Sequence, residues 1–471
     1  MKKFILLFLF GLASSVLNAE IRIELAISKI HCLYNFVDTI SADRPSAIKT
    51  FFEQSPFFTQ ENKKVLQEFR SIINSSKDFD ENKLVLESMH SRSISDFKIR
   101  GQSLIEENLR EEFFEIIENF SPIYDKLIWE NCESKLLDCK TRIENTISAR
   151  KIGNALEKVK LFLYSEWPEN EPFIVFLYPI PVKEGLSRSR SFGEAIQYVG
   201  IHVDAEGMDR KIGTICHEIC HSLMNSMSKE TKNRVFNFFM ETDSECRFWT
   251  YCRLFEIIPT CVGNGWVNEL LTGELDRTNW YEDEFVNSLS KGVFPNLKKY
   301  LLAGKTIDKA FAEECIRVFS DRFPKAEKNF ENIFCGVYLI GNPDSFDPRK
   351  VFGIIKQKFY FAGYHNISSP IAHPFTISGA RKTPYNVVLA ANDSNLQELE
   401  KFIEEQPSLA DYKDKLLKPG ARYIFATIDS HNKAMIIMKS ADYAELRRFF
   451  DLIVKAGELQ PDKKFMIYHE S

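Results

Sequence analysis

The sequence predicts an α+β fold, and three observations lead to it. Apolar residues recur at helical spacing through the first third of the chain. A short β-branched and aromatic run, bounded by prolines, interrupts that pattern at Phe173. The last part of the chain, roughly ninety residues, alternates strand-like and helix-like segments.

The helical part is read from Phe113, Phe114, Ile116, Ile117 and Phe120, with Glu111, Glu112, Glu115 and Glu118 between them. Ile147, Ile152, Leu156, Val159 and Phe162 repeat the pattern. Such spacing puts the apolar side chains on one helix face. Residues 20–165 are therefore expected to be a helical N-terminal region, with polar loops such as Asn74-Ser75-Ser76 between helices. The forty phenylalanines spread along these segments and read as core.

Two strands open the middle part, Phe173–Tyr178 and Tyr198–Val203, with Ser187–Phe192 read as an exposed loop between them. A helix follows from about Asp209 to Asn225, and further helices are expected near 229–240, 243–260, 266–275, 282–302 and 306–322. Gly263 and Gly265 are expected to break the chain before the helix at Trp266. Residues 166–345 form one expected domain. Residues 346–384, with Pro370, Pro374, Gly379 and Pro384, read as a linker or long loop. Residues 385–471 form a small C-terminal α+β domain whose strand, helix, strand, strand, helix, strand order matches a ferredoxin-like arrangement.

Composition narrows the function classes. The 471 residues suffice for two or three domains. The net charge is -5 and no long basic block occurs, which speaks against a nucleic-acid partner. Lys2 and Lys3, the apolar run Phe4–Leu12 and the small residues ending in Leu17-Asn18-Ala19 form the three-part pattern of a signal peptide, residues 1–19. Cleavage is expected after Ala19, with Ser15 as the alternative, and a periplasmic or secreted location follows. No cysteine marks a lipidation site, and no apolar run past residue 20 is long enough to span a bilayer. Nothing in the sequence specifies an oligomer.

The ten cysteines are dispersed rather than arranged as a dense disulfide framework. Cys132 and Cys139 are candidates to close a short loop, and Cys246, Cys252 and Cys261 for another bridge. No CxxC pair occurs, so a thiolate zinc knuckle is not indicated.

One motif carries chemistry: His217-Glu218-Ile219-Cys220-His221. Histidines four apart on a helix share a face, one turn apart, and two imidazoles so placed can hold one Zn2+. Glu218 then projects beside the ion, where it can act as a general base toward water. The bland alternative is a surface helix with two ordinary histidines. Cys216 and Cys220, also four apart, read as small apolar packing groups rather than ligands.

A catalytic zinc needs a third protein ligand. Met224 and Met227 stand where the longer HExxHxxGxxH pattern needs its glycine and third histidine. Three downstream acids remain. Glu256 sits in Leu254-Phe255-Glu256-Ile257-Ile258, Glu269 in Trp266-Val267-Asn268-Glu269-Leu270-Leu271, and Glu241 in the polar stretch Met240-Glu241-Thr242-Asp243. Tyr281, Tyr251 and His202 are candidates for a group that stabilises a developing oxyanion. No GxSxG, P-loop or GxGxxG occurs.

The motif helix followed by a glutamate from a later helix resembles the gluzincin zinc metallopeptidases. Phe255-Glu256-Ile257-Ile258-Pro259-Thr260 with Gly263-Asn264-Gly265-Trp266 resembles a group of poorly characterised exported bacterial zincin-like proteins. The resemblance covers about residues 170–325. It implies a helix-rich zincin-like catalytic domain with a short edge sheet over 166–345, Glu256 as the third ligand, Glu218 as base, and a peptide or protein substrate. The competing expectation is a non-catalytic exported binding protein in which zinc only staples the middle domain.

Overall fold

The computed structural model describes residues 20–471 apart from 43, 76–79, 188, 193–194, 206–209, 360–363, 384, 429–432, 460–464 and 470–471. The expected signal peptide lies outside the described residues. The chain is α+β and divides into two compact units. The first takes the described residues up to Val235 together with Glu256–Asp308; the second takes Phe236–Phe255 and the described residues from Lys309 onward. Among the described residues no helix is long and apolar enough to cross a membrane.

The first unit opens with a strand, β1 (Ile23–Ala26), where only helix was expected. Its signal is the alternation Ile21, Ile23, Leu25 with Arg22 and Glu24 between. Eight helices among the described residues follow: α1 (Lys29–Ser41), α2 (Ala47–Glu53), α3 (Gln60–Ser75), α4 (Glu81–His90), α5 (Ile94–Gly101), α6 (Arg110–Tyr124), α7 (Glu130–Ala149) and α8 (Ile152–Leu163). Ser28 caps α1 by accepting the His31 N–H at 3.2 Å. Helix α1 packs against α2, α3, α4 and α6. Edge-to-face and stacked rings such as Phe36 on Phe52 and Phe69 on Phe113 fill the space, as expected for the phenylalanines.

The sheet of this unit runs β1-β2-β4-β3, with β2 (Phe173–Ile180), β3 (Ser189–Phe192) and β4 (Ile196–His202). Strands β1, β2 and β4 are parallel, and β3 is antiparallel on the edge of β4. Because β1 pairs with β2, residues before and after 165 share one sheet, and the expected boundary there falls inside a single unit. Strand β3 corrects the exposed loop expected at 187–192. Only Phe192 of its four residues is fully buried, so the sequence offered no apolar run to find.

The motif helix is α9 (Arg210–Asn225), packed on β3, β4 and α8. Then come α10 (Lys229–Met240) and α11 (Arg247–Thr260). Helix α11 runs on through a π-helical turn, Cys261–Val267, into α12 (Asn268–Thr272). The expected break at Gly263 and Gly265 does not occur, because these glycines serve close packing rather than chain reversal. A Cβ on Gly263 would sit 2.3 Å from the Gly213 carbonyl oxygen, and one on Gly265 would sit 2.7 Å from the Phe294 ring. Helix α13 (Glu284–Ala303) completes the unit.

The second unit holds α14 (Lys309–Arg322), α15 (Phe330–Cys335), β5 (Gly336–Ile340), α16 (Pro348–Lys358), β6 (Tyr364–Ser368), α17 (Pro374–Lys382), β7 (Asn386–Ala391), α18 (Leu396–Glu404), α19 (Lys413–Leu416), β8 (Arg422–Ile428), β9 (Ala434–Lys439), α20 (Tyr443–Ala456) and β10 (Phe465–His469). Residues 346–384 are thus not a linker, since α16, β6 and α17 lie within them and β6 pairs with β5. The expected strands and helices after 385 are present, but their arrangement is not ferredoxin-like. The sheet order is β10-β8-β9-β7-β5-β6, with β6, β5, β7 and β9 all parallel. Strand β5 occupies the side of β7 that the last strand would take, and β10 pairs with β8 instead.

Burial explains the difference. Val388 and Ala390 face one core together with α16 and α20, while Val387, Leu389 and Ala391 face another with α17 and α18. A strand covered by helices on both faces reads as a continuous apolar run, as Val387-Val388-Leu389-Ala390-Ala391 does. That run, rather than element order, was the signal for a three-layer arrangement.

Candidate metal centre

Helix α9 divides its faces sharply. Ile212, Ile215, Cys216, Ile219, Cys220 and Leu223 are fully buried. The opposite side presents His217, Glu218 and His221. Cys216 and Cys220 therefore pack the helix on its core, as the bland reading had it. Burial pushes both thiols well above their ordinary value.

Two glycines bring the third acid to this face. Gly213 lies one turn before His217, and the π-helical turn after α11 crosses it there. The missing Cβ of Gly263 would meet the Gly213 carbonyl oxygen at 2.3 Å and His217 Cβ at 3.0 Å. No side chain fits between the two backbones. The crossing lies two turns beyond Glu256 on the same continuous helix, and so fixes where Glu256 reaches α9.

Glu256 Oε2 lies 3.4 Å from His217 Nε2 and 3.5 Å from His221 Nε2. The two Nε2 atoms are 3.1 Å apart. A tetrahedral ion with bonds of about 2.0–2.1 Å spaces its donors about 3.3–3.4 Å apart. The three donors thus trace one face of such a tetrahedron. The side chains are 13%, 11% and 19% exposed for His217, His221 and Glu256, so water reaches the group but does not surround it. Among the described residues this is the group of histidine, cysteine and acidic side chains that converges for a metal. Two nitrogens and one carboxylate oxygen are a borderline donor set that suits a first-row divalent metal ion.

The other acids are elsewhere. Glu269 is held by Lys298 through both carboxylate oxygens, at 2.7 and 2.8 Å. Glu241 is mostly exposed and 3.9 Å from Lys309. Of the three donor candidates, Tyr281 alone is at the site. Its hydroxyl donates to Glu256 Oε2 at 3.2 Å, and its ring lies nearly parallel to His217, centroids 6.3 Å apart. Trp280, pinned by its indole N–H to the Asp276 carbonyl and packed near Gly265, sets the turn that delivers Tyr281. Tyr251 packs on Phe236 and Phe239, and His202 bonds the Val182 carbonyl at 2.8 Å.

Electrostatics tie the group together. Burial would raise the Glu256 carboxyl, but hydrogen bonds and charge from His217 and His221 outweigh it and hold the pKa at about 2. Burial would lower the His221 imidazole, yet Glu256 and Glu218 raise it above its ordinary value. The pocket therefore favours positive charge between these groups, which is what a divalent cation brings. Glu218 is raised, chiefly by burial, against the lowering by both histidines and by the Ser191 N–H that bonds it. Ser191 lies in β3, so the edge strand found where a loop was expected also lies beside the expected base.

All ten cysteines carry free thiols. Cys132 and Cys139 lie seven residues apart on α7, roughly 10 Å along the axis, which no disulfide spans. The Cys261 thiol donates to the Ser290 carbonyl at 3.1 Å.

No family model, curated protein or solved structure matches the chain.

Proposed function

We propose that the chain is a zinc-dependent peptidase of the gluzincin type, with His217, His221 and Glu256 as ligands and Glu218 as general base. The observation that carries this reading is the donor triangle of 3.1, 3.4 and 3.5 Å with a half-buried carboxylate, Glu218, beside it on α9. A bound Zn2+ would supply Lewis acidity toward a peptide carbonyl and toward water. Glu218 takes the proton from the attacking water and delivers it to the leaving amine; its raised pKa suits both directions of transfer. Ser191 N–H holds the carboxylate in place. Tyr281 offers its hydroxyl to the oxyanion that develops at the carbonyl. Strand β3 is an edge strand, and an extended peptide laid along such an edge gains main-chain hydrogen bonds.

Among the described residues three donors converge, which supports catalysis over a purely structural zinc, because a structural site is closed by four protein ligands. Export, expected from the pattern of residues 1–19, would place such a peptidase outside the cytoplasm.

The test is metal content and peptide-library cleavage of the purified full chain, wild type beside Glu256→Ala. One zinc per chain, lost or weakened at least about tenfold in the variant together with cleavage, is the expected result. A wild type that takes up no zinc after reconstitution overturns the reading. Tyr281→Phe is expected to keep its zinc and lose about 10²–10³-fold in kcat with little change in KM, as for loss of one oxyanion donor. An unchanged kcat would reduce Tyr281 to a packing residue.

A further inference from the structure

The thiols of Cys252 and Cys335 meet inside the second unit, although the two residues lie about 80 positions apart in the chain. Cys252 sits on α11 and Cys335 is the last residue of α15, where the chain turns into β5. Cys252 is 6% exposed and Cys335 fully buried. Their side chains lie near enough to act on one another electrostatically. The backbones are close as well. Phe248, one turn before Cys252, lies so tightly on Gly336 that a Cβ there would be 2.1 Å from the ring. Two successive residues on one face of α11 thus cover the two residues at the α15–β5 junction.

A third group joins them. The fully buried Arg253 guanidinium donates to the Trp249 carbonyl at 3.3 Å, lies over the Phe319 ring, and places its charge near the Cys335 sulfur. Burial alone would raise the Cys335 thiol, but the neighbouring Cys252 thiol and the Arg253 charge bring it below its ordinary value. Cys252 is pushed well above.

We propose that Cys252 and Cys335 are a redox pair that closes to an intrachain disulfide when the chain folds in contact with a disulfide donor, fixing residues 247–255 of α11 to the start of β5. The exchange balances without a cofactor. The thiolate of one cysteine attacks one sulfur of the donor disulfide, forming a mixed disulfide and expelling a donor thiolate. The other cysteine gives up its proton to that leaving thiolate, and its own thiolate then attacks the Sγ of the first. The second donor thiolate leaves and takes the proton lost by the first cysteine. The protein loses two electrons and the donor disulfide gains them. Export, expected from the pattern of residues 1–19, would bring the chain to an oxidising compartment where such donors act. Cys252 was a bridge candidate from sequence, but toward Cys246 or Cys261. Cys335 was out of reach of any spacing argument, because the fold alone brings it to α11.

The full chain is unfolded in denaturant and refolded in a buffer of reduced and oxidised glutathione, beside a sample refolded with dithiothreitol. Remaining thiols are blocked with N-ethylmaleimide under denaturing conditions, and mass and non-reduced peptide maps are read. The expected result is two fewer blocked thiols than the ten of the reduced protein. It includes a cross-linked peptide joining Cys252 to Cys335, and a melting temperature about 5–10 °C above that of the reduced sample. The double variant Cys252→Ser with Cys335→Ser is expected to lose both the cross-link and that difference. Ten blocked thiols in a refolded sample with native circular dichroism, or a cross-link joining other cysteines, overturns the proposal. The wild-type peptide map decides even if the variant does not fold, and no step depends on peptidase activity.

Discussion

Glu218→Gln is expected to lower kcat for peptide hydrolysis by about 10²–10⁴-fold while zinc content stays at one per chain. The substitution is nearly isosteric and leaves the three ligands untouched, so its effect isolates proton transfer. Glutamine can still accept the Ser191 N–H that now bonds the carboxylate. It cannot take a proton from water at any pH near neutrality. Metal analysis, circular dichroism and turnover on the same preparation check this. Full turnover in a zinc-loaded Glu218→Gln protein would remove the general-base assignment and with it the peptidase reading. Lost zinc would instead show that Glu218 helps to hold the ion.

Gly263→Ala is expected to damage both the fold of the first unit and its metal site. Its Cβ would lie 2.3 Å from the Gly213 carbonyl oxygen and 3.0 Å from His217 Cβ. The obstacle on one side is backbone, which cannot rotate away. The two helices must separate, at a cost of about 1–3 kcal/mol or more. The separation moves Glu256 relative to His217 and His221, whose donors are within 3.5 Å of it. Zinc affinity is expected to fall by about tenfold or more together with the melting temperature. Gly353→Ala serves as the control. It lies in helix α16 with nothing within 4 Å of its Cβ position, and is expected to be neutral or stabilising by about 0.5–1 kcal/mol. Equal zinc affinity in wild type and Gly263→Ala would show that the crossing does not position Glu256.

The parts that local pattern governs were legible. The helices at 229–240, 284–303 and 309–322, and the strands at 173–180 and 434–439, lie where period-3.6 and apolar-run arguments put them. The HExxH spacing alone placed both imidazoles on one face of α9. The misread parts share a cause. Strand β3 has too few apolar residues to announce itself, and it exists because β4 offers an edge. The glycines at 263 and 265 carry no mark that separates a turn from a tight crossing, and the partner at Gly213 decides between them. The last four strands are legible in order but not in pairing, because β6 joins the sheet from a stretch that proline and glycine make look like loop, and β5 joins it from residues assigned to the preceding domain.

The sequence by itself determined the chemistry on offer: two histidines one turn apart, a glutamate between them, and a short set of acids downstream. These follow from residue identity and from the fixed rise and turn of a helix. Only the tertiary structure decided among the acids. Glu269 had its charge taken by Lys298, Glu241 stayed near solvent beside Lys309, and Glu256 alone reached both imidazoles. That choice depends on how one helix crosses another at Gly213 and Gly263, a contact between residues fifty positions apart. Helix periodicity says which face a side chain is on, but nothing local says what that face will meet.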